Sequence, residues 1–164
     1  MDSGMTGCRH YSKLRAVKST VSVTQVRHIA AAPATVWYVV TTPQMYERLD
    51  PRCHLESTTG NGEVGSQYVF TVRAGLARAR LHYVIREATP EARWMAEVDR
   101  AGRHAGVQRA ELLPDTAGTL LRWTVDMPTG RLTRRLVTAS CRRELNKWLT
   151  TVDHYSRSIQ GSTA

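Results

Sequence analysis

The stretch TTGNGEVGSQYVF, residues 58–70, decides between two folds. Gly60, Gly62 and Gly65 spell G-x-G-x-x-G, the spacing of a glycine loop that grips a dinucleotide. Such a loop works between a strand and a helix, because the pyrophosphate rests on the free N–H groups at the helix start. Here the residues that follow alternate instead. Tyr68, Phe70 and Val72 fall on one side, and Gln67, Thr71 and Arg73 on the other. A period of two marks a half-buried strand. The loop is therefore expected to be a hairpin turn, with Gly60, Asn61 and Gly62 supplying positive φ. A kinase glycine loop also joins two strands, yet no V-A-I-K, H-R-D or D-F-G accompanies this one. No G-x-x-x-x-G-K-[ST] occurs either.

The same alternation continues downstream. Ala77, Ala79, Leu81, Tyr83 and Ile85 oppose Arg78, Arg80, His82 and Arg86. Trp94, Ala96 and Val98 oppose Met95, Glu97 and Asp99, while Leu121, Trp123, Val125 and Met127 oppose Arg122, Thr124 and Asp126. One apolar and one charged side per strand predicts an antiparallel sheet with one face in water. HAGVQRAELL, residues 104–113, is a further strand, followed by a PDTAG turn. If Ala110 and Leu112 point inward, so does Gln108; a slip by one residue would bury Arg109 and Glu111 instead. Charged side chains rarely bury, which favours Gln108.

Upstream, residues 21–30 read as a strand, and Pro33 suits the first position of a helix. ATVWYVVTT is rich in β-branched residues, a strand propensity. Val36, Trp37 and Val40 nevertheless share a helical face, and Pro43 ends the segment. A second short helix is expected around residues 44–49, where Met45 and Leu49 stand four apart. The last element is a long helix, with Thr129 as its expected N-cap and Gly161 as its stop. Val137, Cys141, Leu145, Trp148, Val152, Tyr155 and Ile159 form one apolar stripe along it, and Leu132 and Leu136 fall off that stripe. At about 1.5 Å per residue such a helix crosses a whole sheet. The predicted fold class is α+β: one antiparallel sheet of six to seven strands, wrapped on a long C-terminal helix, with two short helices after the first strand.

Composition narrows the function classes. The chain has 164 residues and 41% apolar content, the size of one domain able to bury a core or line a cavity. Its longest apolar run, IAAAPATVWYVV, is interrupted by Pro33 and is too short to span a bilayer. A cytoplasmic protein is expected. Cys8, Cys53 and Cys141 are odd in number and scattered, which suits reduced thiols, and no pair has metal-ligand spacing. No cofactor is indicated. The net charge of +9 is uneven. Residues 1–19 hold Arg9, Lys13, Arg15 and Lys18 against Asp2 and read as a flexible basic tail ahead of a domain spanning residues 20–161. The other basic segment is the long helix, with Arg131, Arg135, Arg142, Arg143 and Lys147 mostly off the apolar stripe. Arginine outnumbers lysine twenty to three, a bias that a GC-rich bacterial genome produces without selection for function.

In this order the segments resemble a known family. TQVRHIAAAPATVWYVVTTPQMYERLDP, GNGEVGSQYVFTVRAG, YVIREATPEARWMAEVDRAG and ELLPDTAGTLLRWTV resemble successive parts of START-like (SRPBCC, birch-pollen-allergen-like) proteins, in their polyketide cyclase/dehydrase and lipid-transport branch. The likeness runs over roughly residues 21–160. It implies a helix-grip fold with a hydrophobic cavity between sheet and helix, and binding of a hydrophobic small molecule such as a lipid or polyketide. Some members cyclise or aromatise a carrier-tethered polyketide, and a chaperone-activator-like interaction module shares the superfold. The family has no invariant catalytic motif to carry over. This chain also departs from the pattern at MYERLD, where Leu49 stands near the place of an expected Trp.

The inward residues read from the alternation are Tyr68, Phe70, Leu81, Tyr83, Trp94, Ala96, Leu121, Trp123 and Val125, roofed by Val137, Cys141, Leu145 and Trp148. Such a list describes a filled core and a ligand cavity alike; the resemblance favours the cavity. Gln108 is its expected polar anchor, and Tyr68, Tyr83, Trp94 and Trp123 its expected aromatic lining. A nucleophile–base pair is not expected: no G-x-S-x-G occurs, and Asp153 and His154 read as neighbours on a helix surface. The basic helix face is expected to be a solvated surface, or to meet an acidic carrier protein or an anionic membrane. Nucleic acid is disfavoured, since no aromatic is interleaved with the charges.

Overall fold

The structure is a computed structural model that describes residues 19–162. Strand β1 (Ser19–Ile29) leads through a short turn into helices α1 (Pro33–Thr41) and α2 (Met45–Leu49). Strands β2 (Cys53–Thr59), β3 (Gln67–Ala74), β4 (Ala77–Thr89), β5 (Arg93–Arg100), β6 (Arg103–Asp115) and β7 (Gly118–Thr129) follow, and α3 (Arg134–Ser162) closes the chain. All seven strands join one antiparallel sheet in the order β1-β7-β6-β5-β4-β3-β2. Register shifts at Leu55/Ser57, Ile85/Glu87 and Val98/Asp99 insert bulges, which bend strands and raise local twist. The sheet so curved wraps its apolar face on α3, the helix-grip arrangement that the family resemblance implies. The expected basic tail lies outside the described residues, apart from Ser19.

Local chemistry explains the boundaries. In α1 the prolines win over β-branched propensity: Pro33 sits at the helix start, and Pro43 follows its end. Its buried face is Val36, Val39 and Val40 rather than Val36, Trp37 and Val40; Trp37 is half-buried. The long helix starts later than Thr129. That residue ends β7, paired with Ser19, and residues 130–133 turn the chain. The apolar stripe then begins at Val137, whose N–H donates to the Thr133 carbonyl at 2.9 Å. Gly161 lies inside α3 rather than after it. At 29 residues the helix is about 44 Å long.

The GNGEVG loop joins β2 to β3 as a turn. Gly60, Gly62 and Gly65 take φ of 80°, 95° and 94°, whereas Asn61 has no positive φ. Gly65, not Asn61, supplies the third left-handed position. The loop closes on itself: the N–H of Asn61 donates to Glu63 at 2.8 Å, and that of Gly62 to Ser66 Oγ at 3.1 Å.

Candidate ligand cavity

Every antiparallel strand runs between two ends of the sheet, and the interior differs between them. One end carries the β2–β3, β4–β5 and β6–β7 turns. Toward it the space under the sheet is filled by Tyr68, Ile85, Trp94 and Leu121, all 1% exposed or less, packed with Val36, Val39, Leu149 and Val152. The other end carries the β3–β4 and β5–β6 hairpins and the β7–α3 turn. Toward it lies a cavity of about 420 Å³.

Its walls come from four directions. Val72, Leu81 and Tyr83 stand on β3 and β4, Gln108, Trp123 and Val125 on β6 and β7. Helix α3 contributes Cys141, Leu145, Trp148 and Thr151, and the α2–β2 segment contributes Tyr46, Leu49 and Cys53. Aromatic rings make the floor. Trp123 and Trp148 have centroids 4.3 Å apart, and Tyr46 stands 6.2 Å from Trp148; Phe70, which is not itself a lining residue, packs against Tyr46 at 5.2 Å and Tyr83 at 5.4 Å. The remaining lining residues, Asp50, Arg52, Glu144 and Lys147, are charged and reach solvent, which makes them the mouth.

Of the residues read from sequence as lining, Leu81, Tyr83, Gln108, Trp123, Cys141, Leu145 and Trp148 are brought together here. Tyr68, Phe70, Trp94, Leu121 and Val137 do not line the cavity. Tyr68, Trp94 and Leu121 lie inward as expected, but toward the filled end of their strands. Phe70 is covered by the two tyrosine rings, and Val137 lies one turn of α3 before Cys141. Tyr46, Leu49 and Cys53 were not anticipated. A signal for Tyr46 existed, since it stands three residues before Leu49 on the face that α2 buries.

The polar chemistry inside is sparse and neutral. Gln108 Nε2 donates to Tyr83 Oη at 3.1 Å, so the tyrosine proton is left free to donate into the cavity. Burial holds the Tyr83 phenol protonated, well above its ordinary range. The Tyr46 hydroxyl is already spent, donating to the Val40 carbonyl at 3.0 Å, and burial raises its pKa as well. Burial pushes the Cys53 thiol up to about 12 and raises Cys141, so neither is a thiolate nucleophile near neutral pH. What the cavity offers is an apolar, aromatic surface with one O–H donor at Tyr83 and the Gln108 amide beside it.

The mouth is held by an ion-pair chain. Arg52 donates to both carboxylate oxygens of Asp50 at 2.9 Å and, through Nη2, to Glu144 Oε2 at 2.8 Å; Lys147 Nζ meets Glu144 Oε1 at 3.3 Å. This clasp ties the α2–β2 segment to α3. Hydrogen bonds from Arg52 pull the Asp50 and Glu144 carboxyls below their usual range. Lys147 therefore stands at the mouth as well as on the basic face, beside Arg142 and Arg143.

Elsewhere, Asp153 corrects an expectation. It is buried, not on the surface, and accepts two bonds from Arg157 at 2.8 Å with Arg27 at 3.7 Å. That pairing is structural and leaves His154 outside. Among the described residues no cluster of His, Cys, Asp and Glu has metal-binding geometry, and no helix is long and apolar enough to cross a membrane.

Comparison with solved structures finds the same architecture at low identity. Protein NE0264 from Nitrosomonas europaea superposes with a TM-score of 0.69 at 16% identity, over 85% of this chain and 96% of that one. SA2116 from Staphylococcus aureus, a protein of unknown function, gives 0.76 at 9% identity, over 88% and 98%. Ara h 8.0201 gives 0.66 at 13% identity, over 85% and 99%. These likenesses establish the fold. No curated protein matches the chain. The sequence model of one family does match, over residues 20–152, and covers the sheet and most of α3. The chain belongs to the polyketide cyclase/dehydrase and lipid transport family.

Proposed function

We propose that the protein binds an apolar small molecule, a lipid or polyketide-like compound, with one oxygen-bearing group turned toward Tyr83 and Gln108. The observation that carries this reading is the composition of the hollow half. An interior of about 420 Å³ is lined by aromatic and aliphatic side chains, with a single buried donor pair. A cavity of this size falls within the usual range for small-molecule sites, where a few polar groups fix orientation. Family membership supports the same class of ligand.

Trp123 and Trp148 report on occupancy, because both indoles line the space. Titration with an apolar dye such as anilinonaphthalenesulfonate is expected to quench their emission and to enhance that of the dye. Alanine at Tyr83 and at Trp123 is expected to weaken the binding. Dye affinity unchanged in both variants would overturn the reading. Native mass spectrometry of freshly purified protein then identifies any co-purified molecule.

A cyclase reading is favoured by one feature, the protonated Tyr83 hydroxyl. A neutral O–H donor in an apolar pocket polarises a ketone carbonyl and so assists carbon–carbon closure of a poly-β-ketone. Incubation with a synthetic poly-β-ketone thioester tests this. Cyclised product that disappears in Tyr83→Phe supports it, and equal product from parent and variant sinks it.

A further inference from the structure

Three large apolar side chains stand almost fully in solvent, and topology gathers them at one end of the molecule. Leu76, at the tip of the β3–β4 hairpin, is 107% exposed; Leu132 and Leu136, in the β7–α3 turn and the first turn of α3, are 99% and 75% exposed. The hairpin tip pairs Ala74 with Ala77, while β7 ends at Thr129 against the first residue of β1. In an antiparallel sheet those two points lie on the same end. That end is also the hollow one, where Val72, Leu81, Val125 and Cys141 line the cavity.

Apart from Asp99, which faces His104 on the β5–β6 hairpin, the charges around these leucines are arginines. Arg73 and Arg78 flank the tip that bears Leu76, and Arg131, Arg134 and Arg135 surround Leu132 and Leu136. Arg100 and Arg103 close the β5–β6 hairpin between them. All seven are exposed, and none forms an ion pair among the described residues; Arg48, Arg142 and Arg143 are likewise without one, whereas Arg27, Arg52, Arg80, Arg86, Arg93, Arg109, Arg122 and Arg157 are paired. Folding does not ask for this arrangement. Arg134 and Arg135 occupy the first turn of α3, where the helix dipole disfavours cations, and no acidic residue offsets them there.

We infer that the cavity end of the protein docks on an anionic lipid bilayer, with Leu76, Leu132 and Leu136 inserted at the interface and the arginines on lipid phosphates. Leucines raised on separate protrusions and rimmed by arginine match the depth profile of a membrane surface, apolar below and anionic at headgroup level. A protein partner would instead need a complementary socket for each of the separate protrusions. The docking end is the cavity end, so the inference rests on the ligand-binding reading for its purpose: an apolar ligand would pass between bilayer and cavity without crossing water. The surface itself is tested independently of that reading.

The test is co-sedimentation of the full chain with vesicles of phosphatidylcholine alone and of phosphatidylcholine mixed with phosphatidylglycerol. Binding is expected on the mixed vesicles only, and is expected to fall with added salt. The paired change Leu132→Ser and Leu136→Ser should lower it about tenfold, since it removes inserted apolar area. Arg134→Glu with Arg135→Glu should remove it. The control is Arg142→Glu with Arg143→Glu, an equal charge change about 12 Å further along α3 at positions off the docking end; it should bind within about twofold of the parent. The leucines are exposed in the free protein, so these variants are expected to keep the parent's melting temperature and dye binding. No binding to mixed vesicles overturns the proposal, and so does an equal loss in the control. Binding that survives every substitution belongs to the basic N-terminal segment and overturns it too. Absence of dye binding in the parent protein counts against the cavity reading alone.

Discussion

The two halves of the space under this sheet are built from the same strands and the same alternation, yet one is filled and the other hollow. In the filled half, Trp94, Tyr68, Ile85 and Leu121 are withdrawn from water in one core with Val36, Val39, Leu149 and Val152. In the hollow half, α1 is absent, and α2 with the start of β2 covers the sheet only by Tyr46, Leu49 and Cys53. The residues facing that thinner cover include Gln108 and the partly exposed Leu81, Val125 and Cys141. Side-chain polarity sets which face of a strand turns inward; the helices laid over that face set whether the inside is packed. Stability and ligand binding should therefore separate along the length of the strands.

Truncation tests that separation most strongly. Trp94→Ala removes a fully buried indole from the packed half and should cost about 3–5 kcal/mol, read as a shift in urea midpoint. Leu81→Ala, whose side chain is only partly buried and borders the cavity, should cost no more than about 2 kcal/mol, the low end for a leucine truncation, and change dye affinity as well. Equal costs would erase the distinction between the halves.

The hollow half is not loose in its backbone, and the next effect in size shows why. Gly106 sits buried in β6 opposite the bulge at Val98/Asp99 with φ of 156°. A Cβ placed there would stand 2.2 Å from the Asp126 carbonyl oxygen of the neighbouring strand. Gly106→Ala is expected to cost at least about 2 kcal/mol, because backbone rather than a flexible side chain must give way. Unchanged stability would mean that β6 and β7 can part near Gln108, and that the cavity has no rigid wall on that side.

Much of this contrast was legible in the residues, and the missing part has a physical reason. Alternation gave the inward face of β3, β4, β5 and β7, and on β6 the rarity of buried charge favoured Gln108 over Arg109 and Glu111; it assigned no face to β1 or β2. Alternation carries no information on where under the sheet the packing thins, so Tyr68 and Trp94 could not be told from Tyr83 and Trp123, although Tyr68 pairs directly with Tyr83 and Trp94 and Trp123 both flank Ala110. The late start of α3 escaped because Thr129 and Thr133 are the same residue type, and only pairing with Ser19 holds the first in a strand. The clasp at the mouth was out of reach altogether: Arg52 and Glu144 are 92 residues apart, and no local pattern couples them.

At the Tyr83–Gln108 pair the expected effect is smaller and falls on binding rather than folding. Tyr83→Phe keeps the ring contact with Phe70 and removes only the hydroxyl. Affinity for a ligand with a carbonyl or hydroxyl group should fall by about 1 kcal/mol, a factor of roughly five, while a pure hydrocarbon should bind as before. Isothermal titration with a fatty alcohol and the matching alkane-like probe measures both. Equal losses for the two would show that the phenol shapes the cavity without anchoring anything in it.

The smallest effect belongs to the clasp of Asp50, Arg52 and Glu144, and it acts on rate. The groups are substantially solvated, so Glu144→Gln should change stability by less than about 1 kcal/mol. Because the clasp bridges the cavity mouth, its loss should speed dye dissociation by roughly two- to fivefold, measured by stopped flow. The sign with pH follows from the carboxyls. Hydrogen bonds from Arg52 depress both pKa values in the folded protein, so the clasp's contribution is complete above the ordinary carboxylate range of about 4. It is lost as pH falls through the depressed values. Dissociation in the parent should therefore accelerate on acidification below about pH 4, and the response should be blunted in Glu144→Gln, where only the Asp50 half remains to titrate. A parent and variant with identical pH profiles would leave the clasp as a surface ion pair with no hold on the cavity, and would move the barrier to exchange onto the aromatic lining, where the Tyr46 and Trp148 rings stand 6.2 Å apart.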